Sequence, residues 1–145
     1  MRLRERALIR AAPERVWAVL VDWERQASWM PDVAWMRVVG DERELGARLE
    51  VRTKVLGIPA TTDVIKVMVW EPPRRLGIVH EGFVRGRGAW LLDPAAEGTR
   101  FTWIEELRMW PPFLGEAELE VYRPIQGAMM QRSIRNLGRL VESGG

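Results

Sequence analysis

The stretch from residue 45 to residue 55 alternates cleanly between two kinds of side chain. One set is largely apolar and the other is charged: Leu45, Ala47, Leu49, Val51, Thr53 and Val55 against Arg48, Glu50, Arg52 and Lys54. Because successive side chains of a strand point to opposite faces, this pattern predicts a strand with one buried and one solvated face. A sheet built from such strands needs a second layer over its apolar face.

Further strand patterns, separated by turn residues, run through most of the chain. Together with the stretch at 45–57, they predict strands at 3–10, 33–39, 60–73, 74–82, 87–94 and 98–110. Pro13 and Glu14 favour the start of a short helix after the first strand. Pro31 ends a second short helix, because proline cannot continue the helical hydrogen bonding.

A long helical pattern lies at the C-terminal end. From about Leu114 onward, apolar residues recur at three- and four-residue steps: Val121, Ile125, Met129, Met130, Ile134, Leu137 and Val141. Pro124 is predicted to kink this helix or to begin its better-formed half. The order of elements predicts an α+β fold in a single domain at 1–145. A curved antiparallel sheet of about seven strands carries the helix across its concave face, with a cavity between them.

Four tryptophans recur every six residues, at Trp17, Trp23, Trp29 and Trp35. Six residues advance a helix by about 600°, so these rings do not share one helical face. Pro31 also separates the last ring from the other three. The spacing is therefore not a repeat, and Trp17 and Trp23 are interpreted as helix-to-sheet packing.

The charge pattern argues against a nucleic-acid surface. The 22 basic residues are interspersed with 20 acidic ones and the net charge is +2, whereas phosphate binding takes a clustered positive surface. The lack of cysteine and the single histidine exclude disulfides, thiolate ligands and a histidine-rich metal site, so no metal and no cofactor is expected. Without a signal-peptide pattern or a spanning apolar run, a cytoplasmic protein that does not cross a membrane is expected.

Four segments, in order along nearly the whole chain, carry a family resemblance. They read APERVWAVLVDWERQASWMPDV after the first strand, VWEPPRRL between the fourth and fifth, GRGAWLLDPAAEGTRFTW in the sixth and seventh, and SIRNLGRLVES in the last helix. The chain thereby resembles the START-like superfamily (SRPBCC), specifically its polyketide cyclase/dehydrase-like branch. The resemblance implies the helix-grip (START/Bet v 1-like) fold, with an apolar ligand between the sheet and the C-terminal helix. Members include aromatase/cyclases and carriers of lipids and quinones.

Charged residues, taken as solvent-facing, assign the inner faces of the strands. On the fourth strand the face assigned inward carries Asp63, Ile65, Val67 and Val69. Candidate ligand-binding residues come from such inner faces, from the last helix, and from the tryptophans beside Pro31, where the pocket mouth of this family tends to lie. They are Trp29, Trp35, Thr53, Val67, Ile78, His80, Trp90, Phe101, Trp103, Glu105, Tyr122, Ile125 and Met129. For the tryptophans, burial in an ordinary core is the alternative.

His80 and Glu105 are the candidate catalytic residues. Counting through the hairpins places both near Gly86 or Gly88 on the strand between them, with backbones roughly 10 Å apart and no side chain to separate them. A carboxylate beside an imidazole can fix its tautomer and raise its basicity, as a general acid/base requires. The cyclase chemistry that the resemblance implies, aldol closure and dehydration of a poly-ketone, would use such a proton shuttle. The alternative is a structural histidine, with Glu105 paired to an arginine.

The sequence therefore predicts a protein that binds a hydrophobic small molecule, such as an aromatic polyketide, a lipid or a quinone-like compound, as a monomer or homodimer. Three roles stay open: a cyclase/dehydrase, a non-catalytic carrier, and a cochaperone-like interaction module of the same fold. The first predicts that His80→Ala abolishes turnover, and the second that Trp103→Ala loses affinity. The third predicts a filled core and an exposed apolar patch in place of a cavity.

Overall fold

A computed structural model describes residues 1–109 and 117–144, and in these ranges the chain forms a seven-stranded sheet, two α-helices and a short 3-10 helix. The strands are β1 (Arg2–Ile9), β2 (Val33–Val39), β3 (Arg48–Val55), β4 (Ile58–Glu71), β5 (Arg75–Glu81), β6 (Val84–Ala95) and β7 (Gly98–Met109). The helices are α1 (Pro13–Leu20), the 3-10 helix (Trp23–Ser28) and α2 (Ala117–Glu142). The predicted order of elements is confirmed.

The strands form one antiparallel sheet in the order β1-β7-β6-β5-β4-β3-β2. From β2 to β7 each strand pairs with the next along the chain, and β1 closes the far edge against β7. The alternation that identifies β3 has the predicted sense, because Leu49 and Val51 are buried while Arg48 is exposed. The inner face of this sheet is the wall on which the site is built.

Helix α2 supplies the second layer that the apolar face of the sheet needs. Its buried stripe follows the helical period, with Met130, Ile134, Leu137 and Val141 all in the core. The helix continues on both sides of Pro124, so the proline does not end it, and the predicted start near Leu114 lies outside the described residues. Neither α2 nor any other described helix combines the length and apolarity needed to cross a membrane.

Strand β4 changes face at a β-bulge, which corrects part of its predicted inner face. The alternation holds through Val67, which is fully buried, and then the pairing with β5 shifts between Val67 and Val69. Because the extra residue reverses the alternation, Met68 is half exposed and Trp70 turns inward instead of Val69. The Trp70 ring meets Trp17 edge-on, with 5.1 Å between ring centroids.

Candidate functional site

A cavity of about 390 Å³ lies between the inner face of the sheet and α2. Its volume falls within the range of roughly 300–1,000 Å³ that small-molecule sites occupy. Strands β2 to β7 supply most of the wall, and the side chains are mainly apolar; Met36, Val51, Ile65, Leu76, Ile78 and Leu107 are among them. The core is therefore hollow on this side, and the interior is suited to an apolar ligand.

The aromatic part of the wall is built around Trp90. Its ring contacts Trp23, Trp29, Trp103 and Phe101, with centroid distances of 6.5, 5.8, 6.1 and 6.5 Å. These separations and the mostly tilted or edge-on geometry are typical of favourable aromatic packing. Of these rings, Trp23, Trp90 and Trp103 line the cavity. The cluster thus forms part of the core and one wall of the cavity at once.

His80 and Glu105 meet on the wall of this cavity. The Nε2 atom of His80 lies 3.0 Å from Oε2 of Glu105. The other carboxylate oxygen, Oε1, accepts a 2.9 Å hydrogen bond from the indole N–H of Trp103. Glu105 is almost wholly buried, whereas the His80 side chain keeps 20% of its surface exposed. The carboxylate is therefore fixed by two partners, and the imidazole stays accessible to a molecule in the cavity.

The pair forms across an intervening strand because that strand carries glycine. Gly88 on β6 stands opposite Glu105 on β7, and Gly86 stands opposite His80 on β5. A Cβ atom at residue 88 would lie 2.8 Å from Oε2 of Glu105, closer than real side chains approach. The missing side chain therefore leaves the space in which the imidazole and the carboxylate meet.

Charge and burial shift the pKa values of three groups in the cavity. Burial alone would lower the pKa of His80, but the charge of Glu105, their hydrogen bond and the charge of Asp63 outweigh it and raise this pKa above its usual value. Burial raises the pKa of Asp32, and the charge of Glu105 adds to the effect. Burial also raises the pKa of Tyr122, with Asp32 contributing. These polar groups share one electrostatic environment.

The raised pKa of His80 predicts a pH-dependent stability. A group whose pKa is higher in the folded than in the unfolded state contributes stability that is complete below the unfolded value, about 6.5 for histidine, and is lost as the pH rises through the folded value. We expect the free energy of unfolding of the wild type, relative to His80→Asn, to fall over that interval. Urea titrations at a series of pH values measure it, and a constant difference between the two proteins would contradict the prediction.

Seven predicted site residues line the cavity together: Thr53, Ile78, His80, Trp90, Trp103, Glu105 and Tyr122. The predicted proximity of His80 and Glu105 through the glycines of β6 is what the register produces. Their alternative pairing is absent from the described residues, since Glu105 contacts His80 and Trp103 and has no arginine partner there.

Trp35 does not line the cavity, which corrects its assignment to the ligand site. The pairing of β2 with β3 shifts between Val33 and Trp35, so that Trp35 stands opposite Arg52 on the outer face. The residue is 40% exposed, and the guanidinium carbon of Arg37 lies 5.4 Å from the ring centroid. Val33 and Met36, on either side of it, line the cavity instead.

Trp29, Val67 and Phe101 are also placed differently from the prediction, because each is wholly buried in the packed core and none lines the cavity. Trp29 packs behind the wall, with ring centroids 5.8 and 6.3 Å from those of Trp90 and Trp103. For the tryptophans, the core alternative holds for Trp29, while Trp90 and Trp103 belong to core and wall together.

Ile125 and Met129, predicted to bind the ligand, do not line the cavity, for a reason of helical geometry. Among the described side chains of α2, Tyr122 and Gln126 line the cavity, and the four-residue step continues to the buried Met130. Ile125 and Met129 each precede this stripe by one position, which rotates them by about 100° around the helix. Both are half-buried at its side.

Other lining residues were missed by the sequence reasoning. Trp23, interpreted as helix-to-sheet packing, does pack on Trp90 but also faces the cavity. Gln126 could have been found from its four-residue spacing after Tyr122. Asp32 carries no periodic signal, since it lies between Pro31 and the start of β2. Within the described ranges, no three histidine or acidic side chains are grouped as a metal ion would require.

The comparisons with known proteins agree with this geometry. The family described as polyketide cyclase / dehydrase and lipid transport matches residues 1–142. Among solved structures, the protein TTHA0849 from Thermus thermophilus is 21% identical, with full coverage of this chain, 99% of that one, and a TM-score of 0.83. The Zhui aromatase/cyclase from Streptomyces sp. R1128 is 14% identical over 98% of this chain and 93% of its own, with a TM-score of 0.82.

A START superfamily protein from Mycobacterium smegmatis is 13% identical, covers 99% of both chains and has a TM-score of 0.77. At such low identities these likenesses speak for the fold, which is the predicted helix-grip fold. The search of curated proteins found no match to this chain.

Proposed function

The chain belongs to the polyketide cyclase / dehydrase and lipid transport family, and from this premise we propose that it binds an apolar small molecule in the cavity between the sheet and α2. The ligand is of the aromatic polyketide, lipid or quinone-like kind. The observation that carries the proposal is the hollow itself, about 390 Å³ with a wall of aliphatic and tryptophan side chains. An apolar molecule gains free energy when it leaves water and contacts such a wall.

The same observation weighs against a cochaperone-like interaction module. That role predicts a filled core, with the apolar surface used for binding exposed on the outside. Here the residues that could have filled the hollow, Trp90 and Trp103, stand along its wall and leave the space between sheet and helix open. Binding in the interior is therefore the better-supported role.

Filling the cavity tests this function directly. We expect Ile78→Trp, on the inner face of β5, to weaken binding of the neutral probe naphthylmethanol by at least about tenfold, because the added ring occupies the ligand's space. Isothermal titration calorimetry measures the affinity. In parallel, native mass spectrometry of the purified wild type identifies any apolar molecule that co-purifies.

The matched control for this test is Val79→Trp. Val79 is the next residue of β5, and its strand partners Lys66 and Arg87 mark the outer face of the sheet. The same substitution therefore adds the same ring outside the cavity, and it should leave the affinity unchanged. Equal loss in both variants, or no loss in Ile78→Trp, would contradict binding in the cavity.

A second candidate function is supported by the contact between His80 and Glu105: acid–base chemistry on a bound poly-ketone. In the tautomer whose Nε2–H donates a hydrogen bond to Glu105, Nδ1 is the nitrogen left to take a proton from the carbon beside a ketone. The enolate carbon then attacks a second carbonyl to close the ring. The imidazolium gives its proton to the alkoxide that forms, which becomes a hydroxyl. In the dehydration, Nδ1 takes a second proton from the carbon beside the remaining ketone and returns it to this hydroxyl, which leaves as water.

The electrostatics support this proton shuttle. The pKa of His80 is raised above its usual value, although burial opposes the rise, because Glu105 and Asp63 stabilise the charged ring. Because its charged form is stabilised, the imidazole is a stronger base toward a proton of the bound molecule. The fold is shared with an aromatase/cyclase.

A further inference from the structure

The charged side chains that line the cavity are strongly unbalanced. Three carboxylates face it, those of Asp32, Asp63 and Glu105, and among the described lining residues His80 is the one basic side chain. No lysine or arginine belongs to the described lining. The sequence of residues 110–116, WPPFLGE, contains no basic residue either.

Met1 also belongs to the lining, and its amino group is held by β7. This group donates a 2.9 Å hydrogen bond to the carbonyl oxygen of Leu107. Among the described lining side chains, three carboxylates stand against one imidazole. The balance of charge in the cavity therefore remains negative.

The basic side chain of the cavity is already engaged. Nε2 of His80 is held by Glu105 at 3.0 Å. Asp63 accepts the backbone N–H of Phe83 at 2.7 Å, a neutral donor, and its charge also acts on His80. Burial of Asp32 is the main cause of its raised pKa, and the charge of Glu105 raises this pKa further. Burial leaves Asp32 and Glu105 with little solvent screening, whereas Asp63 is partly exposed.

The aromatic wall is an independent feature that suits a positive charge. Trp23, Trp90 and Trp103 all line the same cavity. The faces of indole rings carry negative electrostatic potential and attract ammonium groups, most strongly where water is excluded. A ligand cation would therefore meet both carboxylates and indole rings. A ligand anion would meet the carboxylates as like charges, at a cost that the low dielectric of the wall increases.

We infer that the cavity selects its apolar ligand by charge, binding a protonated amine in preference to its neutral analogue and rejecting the carboxylate analogue. This inference rests on the proposed binding function and narrows it. It assigns Asp32 and Asp63 as specificity-determining residues, and it excludes fatty acids and other anionic lipids as ligands.

Three probes with one ring system test the selection: naphthylmethylamine, naphthylmethanol and naphthoate. Their affinities are measured by isothermal titration calorimetry at about pH 8, where the amine is protonated and the acid is ionised. We expect naphthylmethylamine to bind about tenfold more tightly than naphthylmethanol, and naphthoate at least about tenfold more weakly. Naphthoate binding as tightly as naphthylmethanol, or naphthylmethylamine binding no more tightly, overturns the inference.

Failure of the proposed function gives a different result, because naphthylmethanol itself would then not bind. Asp32→Asn locates the effect, since it removes one charge while it keeps the shape of the side chain. It should reduce the preference for the amine over the alcohol by at least about threefold. Asp41→Asn is the matched control, because Asp41 is exposed on the β2–β3 loop and the variant changes the net charge equally. An equal change in both variants overturns the assignment of Asp32.

Discussion

Replacing Trp90 by alanine is expected to reduce the free energy of unfolding by about 4 kcal/mol, near the upper end of the range for single substitutions. The reason is the central place of this ring: Trp23, Trp29, Trp103 and Phe101 all pack on it, at centroid distances of 5.8 to 6.5 Å. Removing it opens a space beside an existing cavity. The surrounding rings cannot close this space without losing contacts with one another.

Equilibrium urea unfolding followed by far-UV circular dichroism measures this loss. Trp35→Ala is the control, because Trp35 carries an indole of the same size on the outer face and is 40% exposed. It should cost less than about 1 kcal/mol. A loss below about 1 kcal/mol in Trp90→Ala would mean that the aromatic cluster is not the support of the cavity wall described above.

Removing the imidazole is expected to have the largest effect on catalysis. If the poly-ketone chemistry proceeds through the shuttle, His80→Ala lowers kcat for cyclisation of a poly-ketone analogue by about 100- to 10,000-fold, the usual contribution of a general acid or base. Its affinity for naphthylmethanol should stay within about threefold, because the apolar wall is intact. Glu105→Gln should also lower kcat and move the pH profile, since the amide no longer stabilises the imidazolium.

Turnover in single-turnover assays and affinity by calorimetry separate the two candidate functions. A wild type that binds the analogue without converting it contradicts catalysis and leaves the carrier role. In that case Trp103→Ala should still weaken binding, and the His80 variant should behave as the wild type does. Conversion by His80→Ala at the wild-type rate would show that the proton transfer occurs elsewhere.

The strands were predictable because a strand with one buried face alternates apolar and polar residues with a period of two. This period places Leu49 and Val51 inside on β3, and it brings His80 and Glu105 onto one face. It fails wherever a bulge adds a residue. The strand pairing shifts at Met68 on β4 and before Trp35 on β2, and each shift reverses the alternation. No residue type in the sequence marks either position.

The helical part of the site was harder to predict for a different reason. An apolar stripe on α2 can face the packed core or the cavity, and periodicity does not distinguish them. The cavity receives Tyr122 and Gln126, a polar pair that a search for apolar residues passes over. Asp32 was likewise invisible, because its importance comes from the charges brought near it by the fold.

Gly88 lies on the strand between the imidazole of His80 on β5 and the carboxylate of Glu105 on β7. These two strands do not pair with each other. An added methyl group there would press on the carboxylate of Glu105, the free end of a flexible side chain, and swing it away from the ring. The imidazole and the carboxylate would lose their contact while each side chain stayed chemically unchanged. The same methyl group at Gly86 would strike the backbone carbonyl of Glu106 and damage the sheet. One carbon atom at residue 88 thus uncouples the two groups in a way that changing either of them cannot.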